Sequence, residues 1–267
     1  MNSSSTSIPT GWDCHVHVFD PAHPSQAGHY RPVLRDLPEI ERTAAALGVG
    51  HLVLVQPSVY GTDNSLILRA LARDPGRHRG IAVLGTDVSD TELDTMHRLG
   101  VRGVRFNLVS PVGNGPESFR LLAPRLKARG WHVQWYAKAD QLAAIADLHE
   151  GSGLTAVLDH LAGMHLDISA SDPSWSALQR LAAQGAWVKL SGWYRLHSVA
   201  PYKSLHDPIR RVAQLMDERL VWGSDWPHTA FDHDALPPYE SVWQPVVQAL
   251  GESRAAAVRT ASALLYA

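Results

Sequence analysis

Residues 119–160 read FRLLAPRLKARGWHVQWYAKADQLAAIADLHEGSGLTAVLDH, and the fold is decided by how this stretch divides. Phe119–Ala128 has apolar residues at helical spacing and is followed by Gly130. His132–Ala137 is a short run of strand formers. Gln141–His149 is helical again, Gly153 follows it, and Leu154–His160 is a second strand-like run. A helix between two short strands is the crossover that parallel neighbours require. The same alternation extends in both directions. Strand-like runs fall at Trp12–Val18, His51–Pro57, Ile81–Gly85, Val101–Asn107, Ala186–Ser191 and Leu220–Asp225, with helical patterns at Ser65–Arg73, Glu92–Leu99, Trp175–Ala183 and Pro208–Met216. Gly48, Gly76, Gly100, Gly130, Gly153 and Gly185 stand where helices must stop, and Ser89 with Glu92 has capping-box spacing. Eight β and α units in a chain of 267 residues close most naturally into a (β/α)8 TIM barrel of class α/β, read as a single domain over 1–267 with a flexible tail at 1–10. An open doubly wound sheet would place a Gly-rich phosphate loop after the first strand, and none is present.

Composition narrows the function. The chain is 45% hydrophobic with a formal charge of −2, which excludes a disordered chain and argues against a nucleic-acid binder. No apolar run is long enough for a membrane span, and MNSSSTSIPTG lacks the basic and apolar regions of a secretory signal, so a cytoplasmic protein is expected. A lone cysteine, Cys14, excludes an internal disulfide. Alternation places Cys14, Val16 and Val18 toward the helices, as packing residues, and His15 and His17 on the opposite face. Among the 15 histidines, His23, His29, His78, His97 and His149 have no partner pattern and read as structural.

Catalytic groups of a barrel come from the C-terminal ends of its strands. Those ends carry His15 and His17, Ser58, Arg105 and Asn107, Tyr136, His160, and Asp225, with Arg195 shortly after strand seven. Two imidazoles on one strand face make either a metal site or a carbonyl-polarising site. H-x-H alone is weak; joined to His160 and Asp225 it is specific. The long loop Pro21–Pro38 after strand one contributes Tyr30 and reads equally as a lid or an irregular connection. Trp193 and Trp226 are candidates for an apolar wall or for loop packing, whereas Trp222 faces the helices by parity.

Several motifs together carry a family resemblance: Asp13–Pro21, Gln56–Asn64, Gly103–Asn107, Leu158-Asp159-His160, Val188–Gly192 and Trp222–His228. The chain resembles the amidohydrolase superfamily, in particular its lactonase branch. The resemblance implies a hydrolase that opens a small carboxylated lactone of sugar-acid, pyrone or muconolactone type. Asp225 would activate water, and His15, His17 and His160 would polarise the carbonyl. Arg105 would bind the substrate carboxylate, with Ser58, Tyr30, Tyr136, Arg195 and Asn107 as further substrate contacts. Binuclear members carry a Lys or Glu on strand four and a His ending strand five; here those strands offer Arg105, Asn107 and Tyr136, which argues against two metals. No cofactor is expected to be required. The alternative is one divalent ion such as zinc on His15, His17 and Asp225. Dicarboxylate-processing members place a second basic residue six positions after the strand-four arginine. Here that position is Pro111, which favours a monocarboxylate. Alternatives on the same scaffold are a lactone isomerase of the galactarolactone type and a mononuclear metal-dependent hydrolase or decarboxylase. The expected partner is a small anionic lactone, with no nucleic acid and no membrane; the oligomeric state is left open.

Overall fold

The computed structural model describes residues 8–26, 30–110 and 115–266. Residues 1–7 of the expected tail, His29 and Pro111 lie outside the described residues. Eight strands form one parallel sheet in sequence order: β1 Gly11–Val16, β2 Val49–Val55, β3 Arg79–Ala82, β4 Val101–Asn107, β5 His132–Tyr136, β6 Ala156–Leu158, β7 Trp187–Leu190 and β8 Leu220–Trp222. The ring closes where the chain beyond β8 meets β1, through a parallel bridge of Val16 to Trp226. The amides of His17 and Asp225 donate to the carbonyls of Trp226 and His15, each at 2.8 Å. The architecture is therefore the expected (β/α)8 barrel.

Helices α1 Leu37–Ala45, α2 Ser65–Ala72, α3 Asp90–Arg98, α4 Glu117–Ala128, α5 Leu142–His149, α6 Pro173–Ala183, α7 His206–Met216, α8 Gln244–Leu250 and α9 Glu252–Tyr266 accompany the strands. Their starts are set by side chains that satisfy free amides. Asp36 caps α1, Asp172 caps α6 ahead of Pro173, and Ser89 with Glu92 forms the full capping box of α3. All six helix-stop glycines have positive φ. No helix among the described residues is long and apolar enough to cross a membrane.

Leu52 and Leu54 of β2 face the main core under the helices, together with Val16, Val18 and Trp222. Val53 and Val55 face the barrel axis with Ile81 and Val221. Cys14 packs with this second group, and its thiol also meets Ser262 of α9. The reason is a bulge. Asp13 pairs with Leu52 and Val16 with Leu54, so three steps along β1 match two along β2 and strict alternation fails between them. Cys14 is a packing residue as expected, but on the axis side, and burial pushes its thiol up to about 12.

The floor of the barrel is closed by the last residue of α9. The Tyr266 ring stacks on Trp12 and its hydroxyl accepts from Gln134 Nε2 at 3.1 Å. Above this floor the axis is polar. His78, His97 and His149, by contrast, are tied to Glu41, Trp131 and Trp135, and His23 sits 3.2 Å from Asp63, in keeping with structural roles.

Candidate active site

Polar residues climb the barrel axis in sequence-dictated order, because β4 to β7 present every second residue inward. Lys189 of β7 is fully buried. Its ammonium donates to Gln134 Oε1 at 2.7 Å and lies 3.2 Å from Asp159 Oδ1 and 3.3 Å from His15 Nδ1. On the far side of Asp159, Arg105 Nε donates to Oδ2 at 3.0 Å. Burial would raise the Asp159 carboxyl, but Lys189, His15 and Arg105 outweigh it and hold the group well below the usual range.

Asp225 stands one layer higher. Its Oδ2 accepts from the Tyr194 hydroxyl at 2.6 Å and from Arg195 Nε at 2.8 Å. Its Oδ1 has no hydrogen-bond partner and lies 3.5 Å from His17 Nε2 and 3.6 Å from His15 Nε2. His160 Nε2 is 4.0 Å from Oδ2. Burial opposes ionisation here too, and Arg195 leads the groups that hold Asp225 well below the usual carboxylate range. Burial also pushes His15 well below its ordinary value and His160 down to about 3, so both are neutral at pH 7.

The close packing of this cluster needs two glycines. A Cβ on Gly223 would lie 2.5 Å from His15 Cβ, and one on Gly192 would lie 2.3 Å from His160 Nδ1. The turn after β6 is strained: His160, Leu161 and Ala162 all have φ near +50°, a conformation that L-residues adopt at a cost. It aims the His160 ring at Asp225 and against Tyr136, in edge contact at 4.8 Å.

Hydrogen bonds fix one tautomer and bear on a second. His17 Nδ1 lies 2.8 Å from the Val55 carbonyl, which only accepts, so neutral His17 presents a bare Nε2. Ser191 Oγ accepts from the His160 amide at 3.3 Å and lies 3.0 Å from His160 Nδ1. If the hydroxyl donates to that nitrogen, the ring proton is on Nε2.

Above Asp225 opens a cavity of about 250 Å³ that brings together His17, Tyr30, Ser58, Arg105, Asn107, Tyr136, Arg195 and Asp225. His15 and His160 sit behind it; His160 lines a neighbouring cavity that shares Tyr136 and Arg195. The Tyr136 ring lies between two guanidiniums, 5.2 Å from Arg105 and 5.7 Å from Arg195. Four of the expected positions take on an altered meaning. Arg195 is engaged first with Asp225 and with Thr229 Oγ1 at 3.2 Å. Asn107 Oδ1 is occupied by the amides of Val109 and Ser110. Trp193 is fully buried with its indole on the Val242 carbonyl, and neither it nor Trp226 lines this cavity, so the loop-packing alternative holds for both.

Sequence reading gave no role to Asp159, Lys189, Ser191 or Tyr194, although the first three stand in the quoted motifs. Inward parity was the available signal: Lys189 and Ser191 share a face of β7, as Gln134 and Tyr136 do on β5. Tyr194 lies in a short helical turn, where parity is silent.

His15, His17 and Asp225 offer ligand atoms within 4.8 Å of one another. Since His15 Nε2 and Asp225 Oδ1 are buried and unpartnered, and His17 Nε2 is bare, this donor set fits one divalent ion.

The chain belongs to the amidohydrolase family, whose model matches residues 12–256. It is 31% identical over 243 residues to 4-sulfomuconolactone hydrolase of Rhizobium radiobacter, covering 87% of this chain and 81% of that one. It is 29% identical over 238 residues to 2-pyrone-4,6-dicarboxylate hydrolase of Comamonas testosteroni, covering 83% and 78%. Among solved structures, a proposed 2-pyrone-4,6-dicarboxylic acid hydrolase from Pseudomonas putida superposes with a TM-score of 0.86 at 30% identity over 97% of both chains. The expectation of a lactone-acting hydrolase of this family agrees with these relatives.

Proposed function

We propose that this enzyme hydrolyses a small carboxylated lactone to the open hydroxy acid, with Asp225 as general base. The observation that carries the reading is the division of labour within one carboxylate. Oδ2 is clamped by Arg195 and Tyr194, while Oδ1 is unpartnered beneath the cavity. A water between Oδ1 and the bare Nε2 of His17 donates one proton toward each, and its oxygen attacks the lactone carbonyl. This gives His17 a different role from the carbonyl polariser of the sequence reading, because its Nδ1 proton is already given to Val55. His160, neutral and protonated on Nε2 when the Ser191 hydroxyl donates to Nδ1, polarises the carbonyl and stabilises the tetrahedral oxyanion. The ring C–O bond then breaks, and the proton taken by Asp225 passes to the departing ring oxygen. Arg105 holds the substrate carboxylate with the nitrogens that Asp159 leaves available, and Tyr136, Ser58, Tyr30 and Asn107 shape the ring site.

If a divalent ion is bound, His15, His17 and Asp225 hold it and it supplies Lewis-acid polarisation of the water or the carbonyl. The metal-free reading rests on charge. Lys189, Arg105 and Arg195 already outnumber Asp159 and Asp225 in this buried cluster, and a dication would add to that excess. The test is a chelator-treated, metal-analysed enzyme assayed on a panel of carboxylated lactones, beside D225N. The expected result is metal-independent release of free acid, with D225N folded and slower by about 10²–10⁴-fold. Activity lost on chelation and restored by zinc would move His15, His17 and Asp225 to metal ligation. A second lactone as product, without free acid, would make the enzyme an isomerase.

A further inference from the structure

The neighbouring cavity that His160 lines, about 380 Å³ in volume, is also lined by His165 and His197, which the mechanism leaves unused. They come from different loops. His165 follows the left-handed turn after β6, and His197 follows the short helical turn Trp193–Arg195 after β7. Their rings lie 4.2 Å apart, tilted by 35°. Asp167 meets both: its Oδ2 lies 3.4 Å from His165 Nδ1 and is hydrogen-bonded to His197 Nδ1. His197 is held in the left-handed region, at φ 58°, a backbone state that a residue other than glycine adopts at a cost.

The protons of this cluster can be placed. An ionised carboxylate only accepts, so His197 Nδ1 carries the proton it shares with Asp167. His197 leads the groups that hold Asp167 below the usual carboxylate range, which keeps it ionised. His165 Nδ1 accepts the Asp167 amide at 3.2 Å, so it bears a lone pair and no proton. Two lone-pair carriers, His165 Nδ1 and Asp167 Oδ2, therefore stand 3.4 Å apart with no proton between them. That is the edge of a tetrahedron whose metal–ligand bonds are about 2.1 Å long. His165, Asp167 and His197 together offer ligand atoms within 4.8 Å of one another. Two imidazoles and a carboxylate suit zinc. Asp167 and His197 are exposed, so water can fill the open coordination position and take over the Asp167 amide.

We propose that His165, Asp167 and His197 form a site for one divalent transition-metal ion of the zinc class, separate from the His15, His17 and Asp225 set. The ion takes the place of the proton on His197 Nδ1, which leaves to solvent. It ties the loop after β6 to the loop after β7, and these loops carry His160 and the Tyr194–Arg195 clamp on Asp225. The inference does not depend on the lactonase reading. It does bear on the metal analysis, because zinc recovered with the enzyme has a place to sit outside the reacting centre.

The test is a calorimetric titration of zinc chloride into the chelator-treated full chain and into H197N, D167N and D225N, with thermal unfolding measured with and without zinc. Asparagine tolerates the left-handed backbone at position 197, and both altered loop residues are exposed, so these variants fold. The unaltered chain is expected to bind zinc at the loop site and to melt at a higher temperature with it. H197N and D167N each lose about tenfold or more in affinity at that site, as removal of a ligand demands, while D225N keeps it within about twofold. A second equivalent that disappears only in D225N keeps the loop site and adds a metal at the catalytic cluster. No binding by the unaltered chain, or binding that H197N and D167N both retain, overturns the assignment.

Discussion

Tyr194→Phe isolates one hydroxyl. The bond it removes, 2.6 Å to Asp225 Oδ2, is short and runs to a buried carboxylate, so it belongs to the charge-assisted class worth about 1.5–3 kcal/mol. Burial, reinforced by the neighbouring Asp225, keeps the phenol well above its ordinary value, so it is a donor throughout the working pH range. Phenylalanine retains the ring, and with it the cation–π contact of Arg195 at 4.9 Å. Tyr194 does not line the catalytic cavity, so substrate affinity is spared. If the hydroxyl serves to hold Oδ1 toward the water, losing it lowers kcat by about 10- to 150-fold, taking about 1.4 kcal/mol per factor of ten, with KM within about twofold. A competing effect has the opposite sign: one donor fewer makes Asp225 a stronger base. Steady-state kinetics at pH 7 on the unaltered and variant enzymes, with thermal unfolding to show that both are folded, decides between them. A kcat within twofold of the unaltered enzyme, or above it, refutes the positioning role.

Two further outcomes are expected. Arg105→Met keeps much of the side-chain stem but removes the guanidinium, so KM for carboxylated lactones rises at least tenfold more than KM for neutral ones; equal rises would remove the anchor role. Acid is expected to destabilise the fold from pH 6.5 downward. Burial lowers His132 and His160 to about 3 and His15 well below its ordinary value, whereas the unfolded chain binds these protons near 6.5. Over that window the unfolded state holds more protons, and stability falls by about 1.4 kcal/mol per pH unit for each such histidine. A melting temperature flat between pH 6.5 and 4.5 would refute this.

The barrel was legible because its signals are local and repeated. Periodicity located all eight strands, and glycines marked the helix ends. The histidine pair, His160, Arg105 and Asp225 were legible from strand-end position alone. What parity could not deliver lay where regularity breaks. The β1 bulge turned Cys14 toward the axis, and the left-handed turn at His160 sets its ring by backbone strain, not alternation. Lys189 stayed hidden for a different reason. A lysine in a strand reads as a solvated residue, and only the closed ring shows that its face is the barrel axis. Arg195 was assigned to substrate by the family resemblance; its contact with Asp225 crosses 30 residues and depends on the path of two loops.

Lys189 also changes what the histidines mean. Its ammonium donates to Gln134 Oε1 and to His15 Nδ1, and pairs with Asp159 Oδ1 at 3.2 Å as an ion pair. With Nδ1 accepting, neutral His15 carries its proton on Nε2, toward Asp225. An N–H there supports the carboxylate but cannot ligate a metal. Metal binding therefore requires the other tautomer, with Nδ1–H given to Asp159 at 3.4 Å and Lys189 turned away. The ammonium and a metal ion thus compete for the same imidazole. The cluster keeps one excess positive charge when Asp159 and Asp225 are set against Lys189, Arg105 and Arg195, which suits one substrate carboxylate.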